Sequence, residues 1–95
     1  MNDPTSEKTI EKELVKRIKQ AGGHAFKLPS TFDRGLPDRM CLLPGAVLVF
    51  VECKSTGKRP TKYQQRRHDT FRKLGFRVEV IDSLEGVAKL MDSLC

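Results

Sequence analysis

Nothing in these 95 residues is long and apolar enough to cross a bilayer: the longest apolar run, Ala46–Val51, falls far short of a membrane span. The amino terminus, Met-Asn-Asp-Pro-Thr-Ser-Glu-Lys, lacks the features of a secretory leader. Cysteine is scarce. Cys41, Cys53 and Cys95 form no CxxC and cannot all pair with one another, a usage that fits a reducing cytoplasm and argues against a zinc site. No repeat, long linker or low-complexity tract interrupts the chain. Acidic side chains are the minority, 12 against 18 basic, for a net charge of +6 and a pI near 9.5. The expectation is one soluble cytoplasmic domain over residues 1–95, with residues 1–5 a flexible tail. Its charge calls for a polyanionic partner, nucleic acid before membrane.

The chain is organised around Ala46–Lys54, Ala-Val-Leu-Val-Phe-Val-Glu-Cys-Lys. An apolar run of this kind, opened by Pro44-Gly45, predicts a strand covered on both faces. Alternation puts Leu48, Phe50, Glu52 and Lys54 on one face and Val47, Val49, Val51 and Cys53 on the other. Glu52 and Lys54 therefore emerge together where a buried strand ends, a place where charges are rare unless paired or at work.

The flanking segments read in order. Ser6 caps a helix over about Glu7–Ala21, stopped by Gly22-Gly23, with Ile10, Leu14, Val15 and Ile18 as its apolar stripe. Glu7 falls within that stripe and Glu11 at its edge. For Glu7, favourable charge in the first turn and a role in a site are both open. His24–Leu28 alternates as a strand, Pro29–Pro37 is a loop, and Asp38–Leu43 is a second strand that Pro44-Gly45 turns antiparallel into the central one. Thr61 with Gln64 forms a capping box that opens a helix to Leu74, with Gln64, His68 and Phe71 in one row. Phe76–Ile81 is a fourth strand, and Asp82 with Glu85 predicts the cap of a last helix. The predicted order is αβββαβα, a mixed α/β layer structure. Phe26, Phe50, Phe71 and Phe76 are assigned to the core, and Phe32 to the loop as a residue that stacks on a base or packs a partner subunit. His24 and His68 are assigned structural roles.

The chemistry concentrates on two acids. Asp38 and Glu52 lie equally far from Gly45, so a hairpin makes them neighbours. Paired carboxylates repel, and a divalent cation is the usual relief; oxygen donors suit Mg²⁺ or Mn²⁺. Lys54 adds positive charge within reach. These are the parts that phosphodiester hydrolysis needs: a metal to polarise the phosphoryl oxygen and a cation for developing charge.

Pro37-Asp38 followed by Glu52-Cys53-Lys54 matches the PD-(D/E)XK nuclease signature. Gly35-Leu36-Pro37-Asp38, Val49–Ser55, Thr61 with Gln64, Glu7-x-x-Ile10, Gly22-Gly23 and Gly75-Phe76-x-Val78 together resemble its virus-type replication-repair (VRR-NUC) branch, in the stand-alone phage form. That resemblance implies a mixed sheet flanked by helices and a Mg²⁺- or Mn²⁺-dependent endonuclease, in a bacterial or phage-infected cell, that leaves a 5′-phosphate and a 3′-hydroxyl. Asp38 and Glu52 resemble the metal-binding carboxylates, the Cys53 backbone carbonyl a further ligand, Lys54 the catalytic lysine and Gln64 the helix glutamine that reaches the site. Glu7 resembles the first-helix glutamate; Glu11, in the context Ile10-Glu11-Lys12-Glu13-Leu14, is the alternative, by likeness to Holliday-junction resolvases. Kinship also implies branched DNA as substrate and a homodimer as the working form. Lys58, Arg59, Lys62, Arg66 and Arg67 make a basic run suited to a DNA backbone, and Arg34 and Arg39 flank Asp38. Lys27 is either a phosphate contact or an ordinary exposed lysine. The alternatives of another class are a non-catalytic basic nucleic-acid-binding module and a nonspecific or restriction-type nuclease on linear DNA.

Overall fold

A computed structural model of the chain describes residues 4–94. Its elements are α1 (Glu7–Gln20), β1 (His24–Lys27), β2 (Arg39–Leu43), β3 (Val47–Cys53), α2 (Lys62–Lys73), β4 (Arg77–Ile81) and α3 (Leu84–Leu94), the expected order. The sheet runs β1-β2-β3-β4, with β1, β2 and β3 antiparallel and β4 parallel to β3. A tight turn can join antiparallel neighbours, whereas a parallel pair needs a crossover, and α2 is that crossover.

Period-two alternation in β3 divides the molecule into layers. Val49, Val51 and Cys53 are fully buried against Ile10, Leu14 and Ile18 of α1 and Val87, Leu90 and Met91 of α3. The opposite face meets α2, where the Phe50 ring lies edge-on to Phe71 at 4.7 Å and to Phe76 at 6.0 Å. The α2 layer covers only part of this face. Residues opposite one another in register share a face, so Phe26, Met40 and Phe50 form one row and His24, Leu42 and Leu48 the next. In these rows Phe26 is 44% and Leu42 36% exposed. Phe26 and Phe76 are thus not core residues as the pattern suggested. Phe26 sits on edge strand β1, beyond the reach of α2, and Phe76, at 46% exposure, just precedes edge strand β4.

The helix ends follow local chemistry. Both α1 and α2 close with a glycine in the left-handed region, Gly22 at φ 87° and Gly75 at φ 93°. The next residue's N–H then reaches back to the last turn, Gly23 to the Ile18 carbonyl at 2.9 Å and Phe76 to that of Phe71 at 3.0 Å. The cap of α3 differs from expectation. Ser83 Oγ accepts the Gly86 N–H at 2.9 Å, while the Asp82 carboxylate accepts the Gly57 N–H instead. Asp82 is drawn away because the loop after β3 packs beside it. Of the tail expected over residues 1–5, residues 1–3 lie outside the described residues, as does Cys95. Thr5 is tied to that same loop: its N–H donates to Thr56 Oγ1 and its carbonyl accepts the Thr56 N–H, each at 3.0 Å.

Candidate active site

The β2–β3 hairpin assembles the acidic pair. Arg39 stands opposite Val51, so one step further along the ladder Asp38 faces Glu52. Two hydrogen bonds hold Asp38 there: its carbonyl accepts the Leu28 N–H at 2.9 Å, and its Oδ2 accepts the Cys53 N–H at 2.8 Å. Glu52 lies on the α2 face and is only 2% exposed. Lys54, two residues along the same face, brings its Nζ to 3.4 Å from Glu52 Oε2.

Helix α2 closes over Glu52. The capping box is complete: Thr61 Oγ1 accepts the Gln64 N–H, and Gln64 Oε1 accepts the Thr61 N–H at 2.9 Å. With its oxygen held by the helix start, the Gln64 amide can aim only its NH₂ outward, and Nε2 stands 3.5 Å from Glu52 Oε2. One turn on, His68 is 1% exposed with Nε2 at 3.8 Å from Glu52 Oε1. From the sequence His68 has a structural role, since a site of oxygen donors needs no histidine. The sign of more was the four-residue spacing from Gln64, which puts both side chains on one stripe of the helix.

On the open side, an approximately 600 Å³ cleft is lined by Glu7, Glu11, Lys27, Ser30, Thr31 and Asp38, among others. Asp38 is thus the member of the pair that fronts the cleft, with Glu52 buried behind. Burial is the main cause that pushes the Asp38 carboxyl up to about 6. The Cys53 N–H opposes that shift, while the nearby charges of Glu52, Glu7 and Glu11 add to it. The first-helix acids have different surroundings. Glu11 Oε2 accepts a 2.7 Å bond from Arg39 Nε, and Arg39 also donates to the Ala25 carbonyl. Arg39 therefore faces into the fold, on the α1 side of the sheet, and Glu7 is exposed at the cleft.

The donor set fits a hard divalent cation. Glu52 is a buried carboxylate across the hairpin from Asp38, and Asp38 has like charge around it from Glu52, Glu7 and Glu11. Among the described residues no three His, Cys, Asp or Glu side chains converge as a finished cage. Mg²⁺ does not require one: it commonly takes one or two carboxylates and keeps several waters.

The loop before Asp38 is fastened to α2. Arg67 Nε donates to Asp33 Oδ2 at 2.7 Å, and Arg67 also donates to the Tyr63 hydroxyl. Asp33 Oδ1 accepts the Gly35 N–H at 2.8 Å, the main influence holding its carboxyl below the usual range. A Cβ on Gly35 would lie 2.5 Å from Arg67 Cγ and 3.0 Å from the Tyr63 ring. Gly35→Ala is therefore expected to cost roughly 1–3 kcal/mol of stability by overpacking and to loosen the loop that carries Asp38. Thermal melts and cleavage rates measured together test this; an alanine variant equal to wild type in both would mean the clasp is dispensable.

The remaining basic positions are outside this web. Lys58, Arg59, Lys62, Arg66, Lys27 and Arg34 are exposed, whereas Arg67 belongs to the loop clasp. Phe32, in the clasped loop, is 86% exposed.

No family model matches the chain. A protein of Acyrthosiphon pisum secondary endosymbiont phage 1, named "Putative nuclease p44", is 47% identical over 77 residues, which covers 81% of this chain and 83% of that protein. A solved VRR-NUC domain superposes with a TM-score of 0.83 at 34% identity, over 93% of this chain and 96% of its own. With the acid pair, the lysine and the capping-box glutamine in the order the signature requires, on a fold shared over nearly its whole length, this chain belongs to the VRR-NUC family of nucleases.

Proposed function

We propose that residues 1–95 act as a single nuclease domain, a divalent-cation-dependent endonuclease that hydrolyses DNA phosphodiester bonds, with branched DNA as its substrate. The observation that carries this reading is Asp38 across the hairpin from Glu52 at the edge of an open cleft, with Lys54 3.4 Å from Glu52. Asp38, Glu52 and the Cys53 carbonyl hold the cation, Mg²⁺ or Mn²⁺. Glu7 completes the acidic side of the cleft, since Glu11 is already engaged by Arg39. When bound, the cation supplies Lewis acidity at the phosphoryl oxygen and lowers the pKa of water.

The side chains do the rest. Lys54 orients the attacking water and balances charge that develops on the phosphate. Gln64, fixed by its cap, steadies Glu52 from the helix side. Lys27 and Arg34 at the loop, and Lys58, Arg59, Lys62 and Arg66 along the start of α2, follow the DNA backbone on either side of the cut. The uncovered apolar rows of the sheet, with Phe26 and Leu42 at their exposed end, support pairing with a second copy. A dimer would bring two cutting centres to two strands, as branched DNA demands.

Purified protein should be incubated with labelled four-way, flap, single-stranded and linear DNA in Mn²⁺, Mg²⁺ or chelator, with its mass followed by sedimentation. Cutting that requires metal and prefers branched substrates, by a dimer, is the expected result. Equal cutting of linear duplex would replace branch selectivity with a restriction-type activity. Salt-sensitive binding without any cutting would leave only a nucleic-acid-binding module.

A further inference from the structure

Only two buried side-chain atoms among the described residues lack a hydrogen-bond partner, Glu52 Oε1 and His68 Nε2, and they face each other at 3.8 Å across the gap between β3 and α2. Unpaired polar atoms this deeply buried are costly, and their coincidence in one place asks for a cause. The gap is too wide for a hydrogen bond and too narrow to seat a water between the two atoms. His68 has no route outward: its ring is 1% exposed, one turn from Phe71, which is packed on Phe50. The other oxygen of Glu52 already has neighbours, Lys54 Nζ at 3.4 Å and Gln64 Nε2 at 3.5 Å. A hydrogen bond between them requires the two atoms to close from 3.8 Å to about 3 Å.

We propose that His68 is a positioning residue: its Nε2–H holds Glu52 Oε1 and so fixes the carboxylate that, with Asp38, would hold the cation. This rests on the divalent-cation reading above. It assigns α2 two jobs from one stripe, with Gln64 and His68 gripping the two oxygens of one carboxylate. Partners that orient a metal ligand without touching the metal commonly change metal affinity by about 10–100-fold when removed.

The test is Mn²⁺ binding to the full chain, measured by calorimetry alongside thermal melts, for wild type, His68→Leu and His68→Gln. His68→Leu keeps apolar bulk but no donor, and is expected to bind Mn²⁺ about 10–100-fold more weakly while still folded. His68→Gln retains an N–H and is expected to recover most of that affinity. Wild-type affinity in the leucine variant overturns the proposal alone, as does an equal loss in both variants, which would mean simple packing. Failure of wild type itself to bind Mn²⁺ overturns the cation reading and this proposal together. If His68→Leu does not fold, nitrogen NMR of the wild-type ring decides. A His68 Nε2–H signal that Mg²⁺ shifts in wild type but not in Glu52→Gln supports the contact, and one that Mg²⁺ leaves unmoved in wild type overturns it.

Discussion

Lys54→Ala is expected to lower single-turnover cleavage by about 10²–10³-fold, the usual cost of removing one donor aimed at charge that develops in a transition state. The same change has a structural side. The Lys54 and Glu52 side chains are 16% and 3% exposed and stand 3.4 Å apart, so the alanine variant leaves Glu52 buried without its nearest cation. Breaking a buried ion pair from one side costs on the order of 3 kcal/mol. That cost should be largest in chelator and smaller with Mg²⁺ present, because a cation bound by Glu52 replaces the missing ammonium. Cleavage should therefore be compared at saturating Mg²⁺, with circular dichroism to verify the fold. Lys54→Arg is not a safe control, since a guanidinium is larger and planar and cannot take the compact place of an ammonium. Cleavage within a few-fold of wild type in a folded alanine variant would remove Lys54 from the chemistry.

Asp38→Asn should have opposite effects on activity and stability. The carboxyl of Asp38 is pushed from 3.8 up to about 6, chiefly by burial. A carboxyl whose folded pKa is raised favours its protonated form in the native state. Its contribution to stability is therefore full below pH 4 and is lost as pH rises through about 6. A shift of this size corresponds to at most about 3 kcal/mol, and partial exposure reduces it. Asparagine removes the charge but keeps an oxygen to accept the Cys53 N–H. In chelator at pH 7.5, Asp38→Asn should thus be more stable than wild type by about 1–3 kcal/mol, and the difference should vanish near pH 4. With metal the order reverses: wild type gains from Mg²⁺ at neutral pH, the variant does not, and cleavage is lost. Urea unfolding at the two pH values, with and without Mg²⁺, reads all of this. A variant less stable than wild type in chelator at pH 7.5 would contradict the cost assigned to a buried, charged Asp38.

On the proposed reading, both expected outcomes describe a site that is strained without its ion. The fold holds Asp38 near Glu52, Glu7 and Glu11. On that reading, stability is given up at that point in favour of a site that a cation and a phosphate would complete, a common exchange at functional sites.

The sequence by itself determined whatever depends on neighbours within a few residues. Alternation through Val47–Cys53 assigned each side chain of β3 to a face, and equal distance from Gly45 put Asp38 across from Glu52. The Thr61–Gln64 box placed the start of α2 and the glutamine, and the glycines after α1 and α2 marked their ends. Only the tertiary structure decided which side chains meet from distant segments. Arg39 takes Glu11 across 28 residues and so separates Glu11 from Glu7, Arg67 clasps Asp33 across 34, and His68 arrives at Glu52. Turns, caps and strand faces are set by hydrogen bonds and periodicities a few residues long, which a chain carries in its local order. The distant pairings depend on how far each helix slides and rotates over the sheet, which is settled by packing of the whole core, and no local period records it.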